Sequence, residues 1–324
     1  MAKKPYTITY FHGTDDEVNE QWLEARKNGI GGSEVATICG VNKYSSPYEL
    51  WLQKTGREPA PDLSDKQSVE WGHRLEDVIA QKFKEEHPEL EVTNSKGMYV
   101  SIERPWAFAN VDRLLKDANG KRGVLEIKTT SVWRRDDWDK EAPLYYMPQL
   151  MHYLSVTGFD YGYFAVLIGG QEYREIYVER DEDDIEVINR CVDTFWNDNV
   201  VTHNPPIMIG GQGESDALLR QNKEFGSEFN ETQDVSYDHI IREILFITES
   251  MAKLKSEKEQ LENTLKNFIG DNKGMYSPKY KVTWNRGMTS RFNSSKFKQD
   301  YPDLAANYTT ESLSNRGLRI TERK

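Results

Sequence analysis

The spacing of apolar residues along this chain changes period several times, and each change predicts an element. Residues 31–38 and 47–55 read as short helices, with Ser33 and Ser46 as N-caps and Pro47 at the first helical position. Val69, Leu75, Val78, Ile79 and Phe83 recur at helical spacing and predict a longer helix over about 67–86. The period then drops to two, giving strands over 97–102, 107–115 and 123–129. A helix near 148–156 follows. Next comes a hairpin, 161–168 with 172–178, joined through Gly169-Gly170, and then an acid-started helix over 183–197. Helices before, between and after the strands predict an α/β fold with a central mixed sheet flanked by helices.

Past 203 the pattern breaks. The Pro/Gly-rich stretch 203–215 marks a boundary, so the expected organisation is a core over 1–205, a linker over 206–235 and an extension over 236–324. The extension opens with an amphipathic helix over about 237–268. Its apolar positions, Ile240, Ile244, Ile247, Met251 and Leu254 through Leu261, Leu265 and Phe268, alternate spacings of four and three. That is a heptad seam with one polar position, Lys258. Such a seam packs either on its own chain or against a second copy.

Composition narrows the class. Aromatic residues are plentiful, with eight Trp, seventeen Tyr and twelve Phe, as in a globular chain. No run of eighteen apolar residues is present, so no membrane helix is expected, and the first residues do not form a secretory signal. With only Cys39 and Cys191, a reducing, cytoplasmic setting is expected and a four-cysteine cluster is excluded. The net charge of −11 speaks against a nucleic-acid partner until its distribution is considered. From Lys273 to Lys324 eleven Lys/Arg stand against four Asp/Glu, so the end of the chain is basic. Much of the acid lies in stretches such as 181–184 that should face solvent, and screening confines each charge to its neighbourhood.

The chemistry concentrates in 109–130. Asp112 lies in one strand-like run and Glu126 and Lys128 in the next, with an Asn119-Gly120 pair between them that suits a type I′ turn. Glu126 and Lys128 share a strand face, and Asp112 can reach the same end of the ribbon. Two carboxylates with a lysine beside them form a divalent-metal site of the kind that hydrolyses phosphodiesters.

Asp112 followed by Glu126-x-Lys128 matches the motif of the PD-(D/E)xK nuclease superfamily. Four further features accompany it: RKNGIGGS at 26–33, GHRLE at 72–76, the threonine after the lysine, and YYMPQLMHY at 145–153. In that order, over roughly 21–199, they resemble the YqaJ/lambda-exonuclease family of phage-type recombination nucleases. The resemblance implies a restriction-endonuclease-like core carrying a C-terminal extension. It implies that Asp112, Glu126 and the carbonyl of Ile127 hold Mg²⁺, with Mn²⁺ as a substitute, and that Lys128 orients the attacking water. Glu76 would help to hold metal or water, Gln149 would lie near that water, and Tyr145 would stand close to the site. Arg26 and Ser33 would bind a terminal 5′-phosphate, and Arg134 would contact DNA. Trp133 beside it either packs or stacks where the strands part.

The family pattern has glycine after the motif aspartate where this chain has Arg113, which should point away along the opposite strand face. His73 and His152, close to the site in sequence, are expected to pack or hydrogen-bond. The implied activity is a 5′-to-3′ exonuclease that digests one strand of linear double-stranded DNA and leaves 3′ single strands. The implied partners are DNA ends, a single-strand annealing protein and further copies of the chain in a ring-shaped trimer. The alternative is a DNA-binding module of the same fold that is catalytically silent or endonucleolytic.

Overall fold

A computed structural model describes residues 4–62, 65–222, 228–310 and 318–321, arranged as two compact units that divide between residues 222 and 223. The first unit runs β1 (Tyr6–Thr9), α1 (Asp15–Lys27), β2 (Ile30–Gly31), α2 (Gly32–Ile38), α3 (Pro47–Lys54) and α4 (Gln67–Glu86). It continues with β3 (Glu91–Asn94), β4 (Met98–Ser101), β5 (Ala107–Ala109), β6 (Arg113–Lys116) and β7 (Arg122–Thr130). It closes with α5 (Met147–Thr157), β8 (Tyr161–Ile168), β9 (Glu172–Glu179), α6 (Glu182–Thr194) and α7 (Gln212–Gln221). Two short 3₁₀ turns lie between β7 and α5, and a π-helical turn continues α6.

The main sheet has the strand order β3-β6-β7-β8-β9 and is mixed, because only β7 and β8 run parallel. A second sheet, β1-β4-β5-β2, lies beside it. The fold is therefore α/β with a central mixed sheet between helices. The two faces of the main sheet bury separate cores. Val124 and Phe164 join the larger core with Leu150 and Leu154 of α5, whereas Leu125 and Leu115 meet Ile79 and Phe83 of α4. That division follows from strand alternation.

Three expectations change. The single strand expected over 107–115 is two strands in different sheets, β5 and β6, with Asn110–Asp112 crossing between them. The hairpin between β6 and β7 forms, but not through a type I′ turn. The Gly120 amide donates to the Asp117 carbonyl, Asp117 Oδ1 accepts from the amides of Asn119 and Lys121, and only Gly120 takes a positive φ, +83°. The Asp117 carboxylate thus stabilises a longer loop ending on a left-handed glycine. Thirdly, the stretch expected as linker contains α7, whose Ala217 is buried and whose Arg220 pairs with Glu58. Its polar sequence hides a single apolar contact stripe.

The second unit contains α8 (Ser236–Ile269), β10 (Gly274–Tyr276), β11 (Lys281–Thr283), α9 (Ser294–Asp300) and α10 (Pro302–Asn307). The long helix matches the heptad pattern to within a residue at each end, and the seam residues are exposed. Among the described residues, no helix is long and apolar enough to cross a membrane.

Candidate active site

β6 and β7 pair antiparallel with Arg113 opposite Leu125, a register that sets Asp112 level with Glu126. Alternation turns Glu126 and Lys128 toward α5, where Gln149 and Tyr153 wait one helical turn apart. Glu126 is only 4% exposed. Its Oε1 accepts from Lys128 Nζ and from Gln149 Nε2, each at 2.6 Å, while its Oε2 is buried with no hydrogen-bond partner among the described residues. Gln149 Oε1 accepts from Lys128 Nζ at 3.0 Å, and its amide also donates to the Tyr153 hydroxyl at 2.9 Å. Asp112 Oδ2 accepts from the Ile127 amide at 2.6 Å. The Lys128 ammonium also lies 4.6 Å from the centre of the Tyr146 ring.

Electrostatics set these groups against one another. Burial, and then the charge of Glu126, hold Asp112 well above the usual carboxylate range. Burial raises Glu126 as well, although Lys128 pulls it down. Burial lowers Lys128, but Glu126 and Asp112 outweigh it and the ammonium is held above its ordinary range. Two buried acids facing one lysine leave a deficit of positive charge, and the unpartnered Glu126 Oε2 marks where it falls.

Among the described residues no three His, Cys, Asp or Glu side chains converge on one point. A cation here would rest on two carboxylates and a main-chain oxygen, a hard-oxygen set that fits Mg²⁺ or Mn²⁺. Glu76, expected beside the metal, is close enough to push both Asp112 and Glu126 upward. One of its oxygens is taken, however: Arg113 Nη1 donates to Glu76 Oε1 at 2.5 Å and to the Asp112 carbonyl at 2.6 Å, and Nη2 to Asp77 Oδ1 at 2.5 Å. Arg113 stands opposite Leu125 on the α4 side of the sheet, but its guanidinium also pairs with Glu76, an acid whose charge acts on Asp112 and Glu126. It is buried and ties α4 to β6, the strand that follows the aspartate. His73 is exposed rather than packed, whereas His152 is buried with Nε2 3.1 Å from the Phe108 carbonyl, and burial pushes it down to about 4.

Ser33, expected as an N-cap, is not one. Gly31 takes the cap position, and the Ser33 hydroxyl instead accepts from Arg26 Nη2 at 3.2 Å. The glycines before it allow close approach: a Cβ on Gly32 would come within 2.4 Å of the Tyr153 ring. A cleft of about 400 Å³ is lined by Ser33 and Asn42 together with Lys128, Gln149, Tyr145 and Arg134, so it runs from this corner to the lysine and glutamine that hold Glu126. At its mouth Arg134 Nη1 donates to the Tyr145 hydroxyl at 2.9 Å and Nη2 to that of Tyr44. Trp133 is 92% exposed, so it does not pack.

Comparison with known proteins gives the family. Residues 21–160 match the family model of the YqaJ-like viral recombinase domain. The protein of Bacillus subtilis (strain 168) described as uncharacterized protein YqaJ is 34% identical over 290 residues, covering 88% of this chain and 89% of its own. The chain belongs to the YqaJ family. All the nuclease-motif residues of this YqaJ-family chain lie inside the matched stretch. Among solved structures, an alkaline exonuclease (LHK-Exo) from Laribacter hongkongensis aligns with a TM-score of 0.48 at 20% identity, over 63% of this chain and 98% of its own. A phage related exonuclease from Haemophilus somnus 129PT aligns with a TM-score of 0.41 at 12% identity, over 54% and 96%.

Tyr44, Tyr153, Glu34 and Lys54 contribute to the YqaJ-family site without having stood out in the sequence. Glu34 had a signal, since a glutamate at the third position of a helix suits a capping box. Lys54 had none, because it reaches the site from the far end of another helix.

Proposed function

We propose that this chain is a metal-dependent nuclease that digests one strand of linear duplex DNA from its 5′ end. The observation that supports this most is the clustering of Asp112, held by the Ile127 amide, with Glu126, held by Lys128 and Gln149, where Lys128 and Gln149 line a cleft that also receives Ser33 beside Arg26. Asp112, Glu126 and the Ile127 carbonyl would hold Mg²⁺. The ion supplies an activated water and charge for the leaving oxygen. Lys128, held by Glu126 and Gln149, orients the water and offsets charge developing on the scissile phosphate. Arg26 offers a guanidinium and Ser33 a hydroxyl to the terminal 5′-phosphate, which starts digestion at an end. Arg134 and Tyr145 guide the strand ahead of the site, and exposed Trp133 offers a stacking face to a base.

The product would be a 3′ single strand suited to an annealing protein, and copies of the chain arranged as a ring would keep an acidic protein on its substrate. Linear and closed circular duplex, end-labelled by strand, are incubated with Mg²⁺ or with EDTA. The expected result is metal-dependent release from 5′-labelled linear strands and no attack on circles. No metal-dependent cleavage of linear DNA overturns the reading, and cleavage of circles favours an endonuclease.

A further inference from the structure

Lys54 is a buried cation next to the Arg26–Ser33 corner, and nothing above gives it a task. Its ammonium, at the end of α3, donates to the carbonyls of Arg26 and Gly29, each at 2.6 Å, and pairs with Glu34 Oε1 at 2.9 Å. A lysine has three N–H donors, and these three acceptors use them all. Lys54 therefore has no donor left for DNA. Glu34 is shared: its Oε1 also accepts from Arg26 Nη2 at 3.2 Å, and its Oε2 accepts from the Gly31 amide at 2.9 Å. Arg26 lies over the Trp22 ring, with its Cζ 4.8 Å from the centroid. Among the described residues its side-chain hydrogen bonds use Nη2 only, to Ser33 and Glu34.

A carboxylate touching the arginine of an anion pocket is a poor arrangement by itself. It cancels the charge that should meet the phosphate and repels the phosphate directly. A second cation on the same carboxylate oxygen removes that cost. We propose that Lys54 is a positioning residue of the 5′-phosphate pocket: it neutralises Glu34 and fixes the backbone of Arg26, so that the Arg26 charge is left for the terminal phosphate. Glu34 then serves as a neutralised brace that aims the guanidinium and caps α2. This rests on the proposed role of Arg26 and Ser33, and it assigns the specificity of that pocket to a residue that never touches the substrate.

The test is the ratio of digestion rates on duplexes with 5′-phosphate and 5′-hydroxyl ends, for the full-length wild type, K54M, E34Q and E34Q/K54M. K54M leaves Glu34 to cancel Arg26, and the ratio falls about tenfold, the size of one charge-assisted hydrogen bond, through KM for the phosphorylated end. E34Q removes the charge and keeps one acceptor oxygen for Arg26 and Lys54, while its NH2 replaces the oxygen that accepted from the Gly31 amide, so the ratio holds or rises even though the cap of α2 weakens. E34Q/K54M recovers most of what K54M loses, a rescue that a folding defect would not give. A ratio unmoved by K54M overturns the proposal, as does a double variant no better than K54M. Should K54M fail to fold, E34Q still decides: a tenfold fall there contradicts the charge balance. A wild type indifferent to the 5′-phosphate overturns the pocket reading and this proposal together, whereas a wild-type preference that K54M leaves intact overturns this proposal alone.

Discussion

β7 and α8 invert the usual placement of side chains, in opposite senses. On β7 a glutamate is buried, at 4% exposure, beside a half-buried lysine. On α8 the apolar seam stands in solvent, with Phe268 at 74%. Burying charge is costly unless each group finds a partner, and β7 meets that cost locally through Lys128, Gln149 and the Ile127 amide, except at Glu126 Oε2. The α8 seam has no such internal answer among the described residues. The first region is strained by an unmet charge within the chain, and the second is incomplete for want of a surface. The first kind of deficit points to a small ion and chemistry, the second to packing.

Lys128→Ala should have the largest effect, lowering the rate of DNA cleavage about 10²- to 10³-fold or more in a steady-state assay, because it removes a charge aimed at the reacting phosphate. DNA binding measured by fluorescence anisotropy should be largely kept. An activity loss of only a few fold would mean that the β7 pairing is structural.

Arg113→Ala comes next. It removes a buried cation whose partners Glu76 and Asp77 stay 31% and 90% exposed, so the loss is that of charge-assisted hydrogen bonds and packing, about 2 kcal/mol. Chemical denaturation should show a loss of that order. A change below about 0.5 kcal/mol, the range of ordinary surface substitutions, would show that the tie to α4 carries no weight.

Metal addition should close the deficit on β7. Saturation at a hundred times the dissociation constant stabilises by about 2.7 kcal/mol, read as a rise in Tm, and Asp112→Asn should lose most of it. The same deficit sets a pH dependence. Asp112 and Glu126 have folded-state values raised above those of the unfolded chain, so the stability they contribute is full below the unfolded carboxylate range and is lost as pH rises through the folded values. The metal-free protein should therefore melt higher when mildly acidified toward that range, and Asp112→Asn should flatten the profile. A Tm rise with metal that is equal in wild type and Asp112→Asn would place the ion elsewhere.

The smallest effect belongs to α8. Leu254→Glu puts a charge on an exposed seam position of α8. It should leave the helicity of the protein, read by circular dichroism, unchanged and shift its unfolding free energy by less than about 0.5 kcal/mol. A larger loss would show that the seam is covered in solution.

The same comparison explains what was legible in the sequence. Periodicity located α4, α8 and the β8–β9 hairpin closely, because each depends on a local repeat of side chains. The glutamate and lysine of β7 were readable because strand alternation fixes their common face. Contacts between distant segments were not readable. Nothing local tells that Arg113 meets Glu76, that Lys54 caps the carbonyls after α1, or that Tyr44 reaches Arg134. The strand expected over 107–115 failed for a similar reason, since β5 and β6 follow one another within a few residues and their separation into two sheets is a matter of tertiary pairing. Ser33 looked like a cap because serine favours caps, and its true partner lies on another helix.

The most direct test of the central claim is strand-specific digestion of a linear duplex carrying one 5′-phosphorylated, labelled end, with Mg²⁺, by wild type and Lys128→Ala side by side. The account predicts release of labelled nucleotide from the 5′ end by the wild type, none with EDTA, and near-loss in the variant while the opposite strand stays whole. Equal digestion by wild type and Lys128→Ala, or loss that begins at the 3′ end, would contradict it.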